Sequence, residues 1–255
     1  MVDLIGFDAD DTLWQNEALF RSTQAEFRSL LSQYHDEAWI EQRLYETEVR
    51  NLVHYGYGIK AFMLSMVETA VELTEGRIGG PEIRRILDLG REMLRAPITL
   101  IDGVAETLAC LADDHRLMLI TKGDLLDQES KIERSGLRDF FRHIEVVSRK
   151  DALTYSRILE RADIAPTRFL MVGDSLRSDV LPVIEIGGAA VHIPQPSPWQ
   201  HELIDPDPDV RRRYTELESI RSLPDFIRGM IREPAEKSDD GSATEAFEPL
   251  TDQTP

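Results

Sequence analysis

The feature that most constrains this chain is an apolar run, Val2 to Phe7, that stops abruptly in the carboxylates Asp8, Asp10 and Asp11. A short apolar run bounded by polar residues reads as a strand buried on both faces, as in a parallel sheet. Its carboxyl end is the edge at which open α/β sheets bind ligands. Acids this close repel one another and resist desolvation unless positive charge sits among them. A hard divalent cation such as Mg2+ answers that need, because the donors are all oxygens. The plain alternative is a solvated turn after a strand.

Beyond residue 97 the chain alternates. Leu117–Thr121, His143–Val147, Arg168–Val172 and Ala189–Ile193 read as strands, with helical patterns at Gly103–Ala112, Leu125–Ser135, Ala152–Ala162 and Val180–Ile186 between them. Such alternation predicts a Rossmann-like, doubly wound parallel sheet. Residues 15–96 are helical throughout, with apolar positions at helical spacing, among them Phe20, Phe27, Leu31, Trp39, Ile40, Leu44, Val53, Phe62 and Met66. Tyr55-Gly56-Tyr57-Gly58 breaks this block, and Gly79-Gly80-Pro81 starts its last helix. The expected organisation is an α/β core from residues 1–14 and 97–232, with residues 15–96 an inserted helical domain. Tyr214–Ile231 reads as a final helix. Residues 233–255 are acidic and poor in apolar side chains, which predicts a disordered tail.

Lys plus Arg number 29 against 47 Asp plus Glu, a net charge of −18. A surface this acidic repels nucleic-acid backbones, so nucleic acid is not an expected partner. It does not exclude a small anion, because one cation and a few basic side chains reverse the sign within a pocket. No apolar run approaches the ~18 residues of a membrane span, so no membrane partner is expected. The chain opens on a strand with no basic-then-apolar leader, which points to the cytoplasm. The single cysteine, Cys110, is expected to pack in the core. Nothing in the pattern fixes an oligomeric state.

The residues at the predicted strand ends are Asp8 and Asp10, Thr121, Lys150, and Asp174 with Asp179. In a doubly wound sheet these ends share one edge. The set combines a nucleophile, an acid/base, a hydroxyl, a cation and metal-binding carboxylates, which suits phosphoryl transfer. Taken singly, Thr121 could cap the next helix, Lys150 could be a solvated charge, and Asp174 and Asp179 could cap the helix near Val180.

Four motifs in order carry a resemblance: Asp8-Ala9-Asp10-Asp11-Thr12, Thr121, Lys150, and Gly173-Asp174-Ser175-Leu176-Arg177-Ser178-Asp179. The chain resembles the haloacid dehalogenase superfamily of hydrolases over about Val2 to Pro194, and the helical block resembles that family's C1 cap, which closes over the active site. The resemblance implies Mg2+-dependent hydrolysis of a small phosphorylated metabolite through an aspartyl-phosphate. Asp8 would be the nucleophile and Asp10 the general acid and base. Asp8, the Asp10 main-chain carbonyl and Asp174 would hold Mg2+, with Asp179 and Thr12 in support. Thr121 and the main-chain N–H of Lys122 would grip phosphate, and Lys150 would neutralise charge.

Asp151, where the family often has Pro, and Arg149 leave Arg149 a competitor for the third motif. Asp10 favours a phosphatase over a dehalogenase, since halide needs no proton to leave. A sugar phosphomutase or a non-catalytic phosphate-binding module are the alternatives. Trp14, Tyr55, Tyr57 and Lys60 are the expected specificity residues, with cap core the competing role for the tyrosines. Removing residues 233–255 should leave kcat/KM and melting temperature nearly unchanged, because too little apolar surface is present to offset an ordering cost of about 1–2 kcal/mol per residue. A large loss of either in the truncated protein would make the tail part of the fold.

Overall fold

A computed structural model of the chain describes residues 2–232; the acidic tail lies outside them. Six strands form one parallel sheet in the order β3-β2-β1-β4-β5-β6. They are β1 (Leu4–Phe7), β2 (Arg116–Lys122), β3 (His143–Val147), β4 (Phe169–Gly173), β5 (Ala189–His192) and β6 (Thr215–Glu216). The helices are α1 (Glu17–Leu31), α2 (Glu37–Tyr55), α3 (Ile59–Leu73), α4 (Gly80–Arg95), α5 (Val104–Ala112), α6 (Leu125–Ser135), α7 (Ala152–Arg161), α8 (Leu181–Glu185), α9 (Pro208–Arg211) and α10 (Leu223–Arg232). This is the doubly wound α/β fold that the alternation predicts.

β1 lies at the centre, paired with β2 on one side and β4 on the other, and every residue in it is buried. The period of two along a strand sends its side chains to opposite faces. Ile5 and Phe7 join Leu117, Leu119, Leu170 and Val172 under α5, α6 and α10. Leu4 joins Met118, Ile120, Phe169 and Met171 under α7 and α8. Both layers are covered, which is why these strands read as unbroken apolar runs.

Helices α1–α4 form a separate unit between β1 and α5. Its core is built from Phe27, Leu31, Ile40, Leu44, Phe62, Met66, Ile86 and Met93. Asp36 starts α2 by accepting the N–H of Trp39 at 3.0 Å, and α4 has Pro81 in its first turn. Trp39 and Val53, read as part of the apolar pattern, are instead 43% and 72% exposed. The buried stripe of α2 is Ile40, Leu44, Thr47 and Asn51, an i, i+4, i+7, i+11 spacing that leaves both residues outside it.

Two further expectations are corrected. Cys110 is exposed, because Val104, Thr107, Leu108 and Leu111 make the buried face of α5. The final helix begins at Leu223, since Thr215 and Glu216 add a sixth strand beside β5. None of the helices among the described residues is long and apolar enough to cross a membrane.

Close approach of β1 and β4 depends on Gly6. A Cβ there would lie 2.7 Å from the Phe169 ring and 3.0 Å from Met171 Sδ. Gly6→Ala should therefore destabilise the protein by about 1–3 kcal/mol, the usual cost of overpacking. The urea midpoint measures this, and an unchanged midpoint would mean that the sheet spacing yields freely.

Candidate active site

The carboxyl ends of the central strands meet in one group of titratable side chains. The main-chain N–H of Asp8 donates to Val172 O at 2.9 Å, extending the β1–β4 ladder by one residue and fixing where its side chain leaves the sheet. The chain then turns, and Asp11 takes a left-handed conformation with φ 62°. That conformation is costly for most residues but tolerable for Asp. Its carboxylate accepts the N–H groups of Asn16 at 2.9 Å and Glu17 at 3.0 Å. The first turn of α1 needs such an acceptor, because the Asn16 side chain makes no cap.

Lys150 follows β3 and is 1% exposed at its side chain. Its ammonium bonds Asp8 and, at 2.7 Å, Asp179. Arg149 faces solvent, so Lys150 is the cation that enters the site. Asp179 is fully buried on a π-helical turn, Leu176–Val180, and accepts the Ser175 N–H at 3.1 Å. Gly173 makes room for it, since a Cβ there would lie 2.3 Å from Asp179 Cγ. Thr12 Oγ1 stands 3.3 Å from Asp8 Oδ2 and 3.3 Å from Asp174 Oδ1, tying the first strand end to the fourth.

Asp8, Asp174 and Asp179 offer carboxylate oxygens within 4.8 Å of one another. Burial raises the Asp8 pKa to about 7, opposed by Lys150 and reinforced by the charge of Asp179. Burial, then the charges of Asp8 and Asp179, push Asp174 well above the usual carboxylate range. Three acids share one ammonium, so the cluster has a surplus of negative charge and an all-oxygen donor set. Both properties suit a hard divalent cation.

Asp10 stands apart from that cluster. Its carboxylate accepts from Lys131 at 2.8 and 2.9 Å, from Gln128 at 3.0 Å and from the Trp14 indole at 2.7 Å. Burial pushes its pKa up, but the Lys131 charge and these hydrogen bonds outweigh it and hold the pKa below that of an ordinary Asp. Thr121 accepts from the same Gln128 amide at 2.6 Å. It does not cap α6, a role filled by Asp124. Lys122 lies 4.4 Å from the centre of the Tyr57 ring and bonds Ser178 at 2.7 Å.

These groups open into a cavity of about 800 Å³ between the sheet edge and the helical unit. Of the four expected specificity residues only Tyr57 lines it. Trp14 is 1% exposed within the core and holds Asp10 instead. Tyr55 is 51% exposed, and Lys60 pairs with Asp124 at 2.8 Å beside a second cavity of about 260 Å³ that Tyr55 and Tyr57 also line. The break between α2 and α3, with Gly56 and Gly58 at positive φ, turns Tyr57 inward while these two neighbours stay outside the larger cavity.

Four contributors escaped the sequence reading: Gln128, Lys131, Trp199 and Glu202. The first two had a signal, because Asp127, Gln128 and Lys131 share the buried stripe of α6 with Ile132. Polar residues on a buried stripe mark a site rather than a core. Trp199 and Glu202 had none. They sit on the proline-rich strap after β5, where Trp199 meets Tyr57 edge-on at 6.1 Å and Glu202 bonds Lys122, Ser175 and Ser178.

The model of the haloacid dehalogenase-like hydrolases matches residues 2–187, and the chain belongs to that family. A haloacid dehalogenase-like family hydrolase from Xanthomonas campestris is 45% identical, with a TM-score of 0.79 over 90% of this chain and 91% of that one. A 2-haloacid dehalogenase from Pseudomonas syringae pv. tomato is 23% identical, with a TM-score of 0.59 over 90% of this chain and 100% of that one. A predicted phosphoglycolate phosphatase from Haemophilus somnus is 18% identical, with a TM-score of 0.58 over 89% of this chain and 98% of that one. These last two share the fold. No curated protein matches the chain.

Burial raises the Glu202 pKa, but Lys122 and the two serines outweigh it and bring it from 4.5 to about 2. A carboxyl with a depressed folded-state pKa stabilises the fold above its unfolded value, and the effect is lost as pH falls towards the folded one. At roughly 1.4 kcal/mol per unit, the contribution is at most about 3 kcal/mol. Glu202→Gln should be less stable than the parent by about 1–3 kcal/mol at neutral pH. Chemical denaturation should show the gap closing as pH falls below about 4.5; a gap constant with pH would dissociate Glu202 from the Lys122 contact.

Proposed function

We propose that the chain is a Mg2+-dependent phosphatase that hydrolyses a small phosphomonoester through an aspartyl-phosphate on Asp8. The observation that carries this reading is the Asp10 carboxylate, held beside the nucleophile by Lys131, Gln128 and Trp14. Expelling an alcohol requires a proton at the leaving oxygen; expelling a halide does not. An acid fixed at this position by three donors has a purpose in the first reaction only.

The rest of the site supports the same chemistry. Asp8 attacks phosphorus, the P–O bond to the alcohol breaks, and the alcohol takes its proton from Asp10. Water, giving its proton to Asp10, then attacks the acyl phosphate and frees the Asp8 carboxylate, and Asp10 passes the proton on to the departing inorganic phosphate, which returns both carboxylates to their starting state. Lys131 disfavours protonated Asp10 in the free protein, so the substrate's monoanion is a suitable proton source, its second pKa being near 6. Lys150 keeps the Asp8 carboxylate oriented and offsets charge on the phosphoryl oxygens. Thr121 and the N–H of Lys122 suit those oxygens as donors. Asp8, Asp174 and the main chain at Asp10 would hold Mg2+, which when bound relieves repulsion between nucleophile and phosphate. Helices α1–α4 act as the cap that shields this chemistry from bulk water.

Phosphate release from a panel of esters tests the reading. Activity should vanish in excess chelator and return with Mg2+. Asp10→Asn should slow alkyl esters by about 10²–10⁴-fold and aryl esters much less, since a good leaving group needs little acid catalysis. Equal losses on both classes would remove Asp10 from the acid role. Halide release from a 2-haloacid without phosphate release from any ester would refute the phosphatase reading.

A further inference from the structure

The cavity has a second charged wall that the chemistry at Asp8 does not use. Glu17, in the first turn of α1, and Glu48, in the middle of α2, both line it from the side of the helical unit. Neither carboxyl forms an ion pair with any described residue. Gln24 lies near enough to Glu48 to favour its charged form, while Glu48 Oε1 is shut off from solvent and has no partner. Arg21 lies near enough to Glu17 to be felt electrostatically but makes no bridge to it.

Glu17 and Glu48 are half-buried in the cavity wall, and a carboxyl oxygen shut off without a partner, as Glu48 Oε1 is, is unfavourable unless something else supplies what is missing. Burial, and then the charge of a neighbouring acid, raise Glu17 to about 7 and Glu48 to about 8. Both pKa values lie close to neutrality, so a cation entering between them completes their ionisation at little cost. A hydroxyl alone would leave the mutual repulsion in place.

Resting on the phosphatase reading above, we propose that the substrate is a phosphomonoester whose alcohol portion carries an ammonium group, held by Glu17 and Glu48. Such a molecule would face both walls of the cavity: phosphate towards Lys150 and Thr121 on the sheet side, ammonium towards Glu17 and Glu48 on the helical side. A cavity of about 800 Å³ takes anything from a phosphorylated amino alcohol to an amino-sugar phosphate, and it lies in the ordinary range for small-molecule sites.

Matched ester pairs that differ only in amine against hydroxyl test this: phosphoethanolamine with 2-hydroxyethyl phosphate, and glucosamine 6-phosphate with glucose 6-phosphate. 4-Nitrophenyl phosphate serves as the reference for chemistry. In at least one pair the amine should lead by about tenfold or more in kcat/KM, chiefly through KM, as a charge-assisted contact requires. Glu48→Gln and Glu17→Gln should each shrink that lead to about twofold. For the unaltered protein, 2-aminoethylphosphonate should inhibit about tenfold more strongly than propylphosphonate, a comparison independent of how well the variants fold. Hydrolysis of the reference ester with no amine preference in either pair, or equal inhibition by the two phosphonates, overturns the proposal and leaves the phosphatase reading standing. Absence of hydrolysis of every ester, the reference included, overturns both.

Discussion

A single ammonium, that of Lys150, allows this sheet edge to exist. It sits between Asp8 and Asp179 with almost no exposure, joining the loop after β3 to the ends of β1 and β4. Removing one partner of such a buried set leaves uncompensated charge at a cost of several kcal/mol. The remaining geometry serves this contact. The π-helical turn drops Asp179 onto the strand end, and Gly173 vacates the volume that its carboxylate fills. One lysine cannot balance three acids, however; burial first, and then the surplus of negative charge, raise the pKa values of Asp8 and Asp174. That imbalance makes the cluster receptive to a divalent cation.

Asp8 and Asp10 are two residues apart, Asp8 buried and Asp10 half-buried, yet their pKa values move in opposite directions. The difference lies in the company each keeps. Asp8 shares its lysine with Asp179 and faces Asp174, so burial dominates. Asp10 has Lys131, an indole N–H and a carboxamide, and these overcome burial. Environments that drive two carboxyls apart allow one to attack and the other to manage protons. The separation is set by α6, which carries Gln128 and Lys131 on the face turned to β2 and is started by Asp124.

Much of this was legible from the residues alone. Runs of apolar residues ending in Asp, Thr and Gly-Asp located the ends of β1, β2 and β4, because a parallel strand buried on both faces favours apolar residues until it stops, while the edge strand β3, with His143 and Glu145 in it, carried a weaker signal for Lys150. The helical block was legible from its period, although Trp39 and Val53 show that period alone does not say which of two adjacent apolar residues faces inward. Partners supplied by distant segments were less so. Lys131 and Gln128 could have been found as polar interruptions of a buried stripe. Glu202 could not, since it lies in a proline-rich strap with no repeat, and only the folded chain brings it to Lys122. Trp14 illustrates a different failure: an aromatic beside a catalytic motif suggests substrate contact, whereas this indole is consumed by the core and by Asp10.

The way the helical unit meets the core bears on how a substrate enters. The apolar cluster of α1–α4 and the two clusters flanking the sheet have no buried residue in common. Many of the contacts across the boundary are polar: Lys60 with Asp124, Arg134 with the carbonyls of Leu94 and Ala96, and Lys131 with Asn16. An exposed pair such as Lys60 and Asp124 contributes only ~0–1 kcal/mol, since water replaces each partner. Separating the two units along this boundary would leave each apolar core intact. Asp11 is the exception, because its carboxylate holds the first N–H groups of α1 from within the loop that carries Asp8 and Asp10. A rotation of the helical unit about that point would therefore keep α1 attached to the loop that carries Asp8. Glu17 would remain close to the reacting end, while Glu48, farther along the unit on α2, would travel with it. The position of the second acid relative to the phosphate would then depend on closure, and a substrate long enough to reach both would favour the closed arrangement by binding.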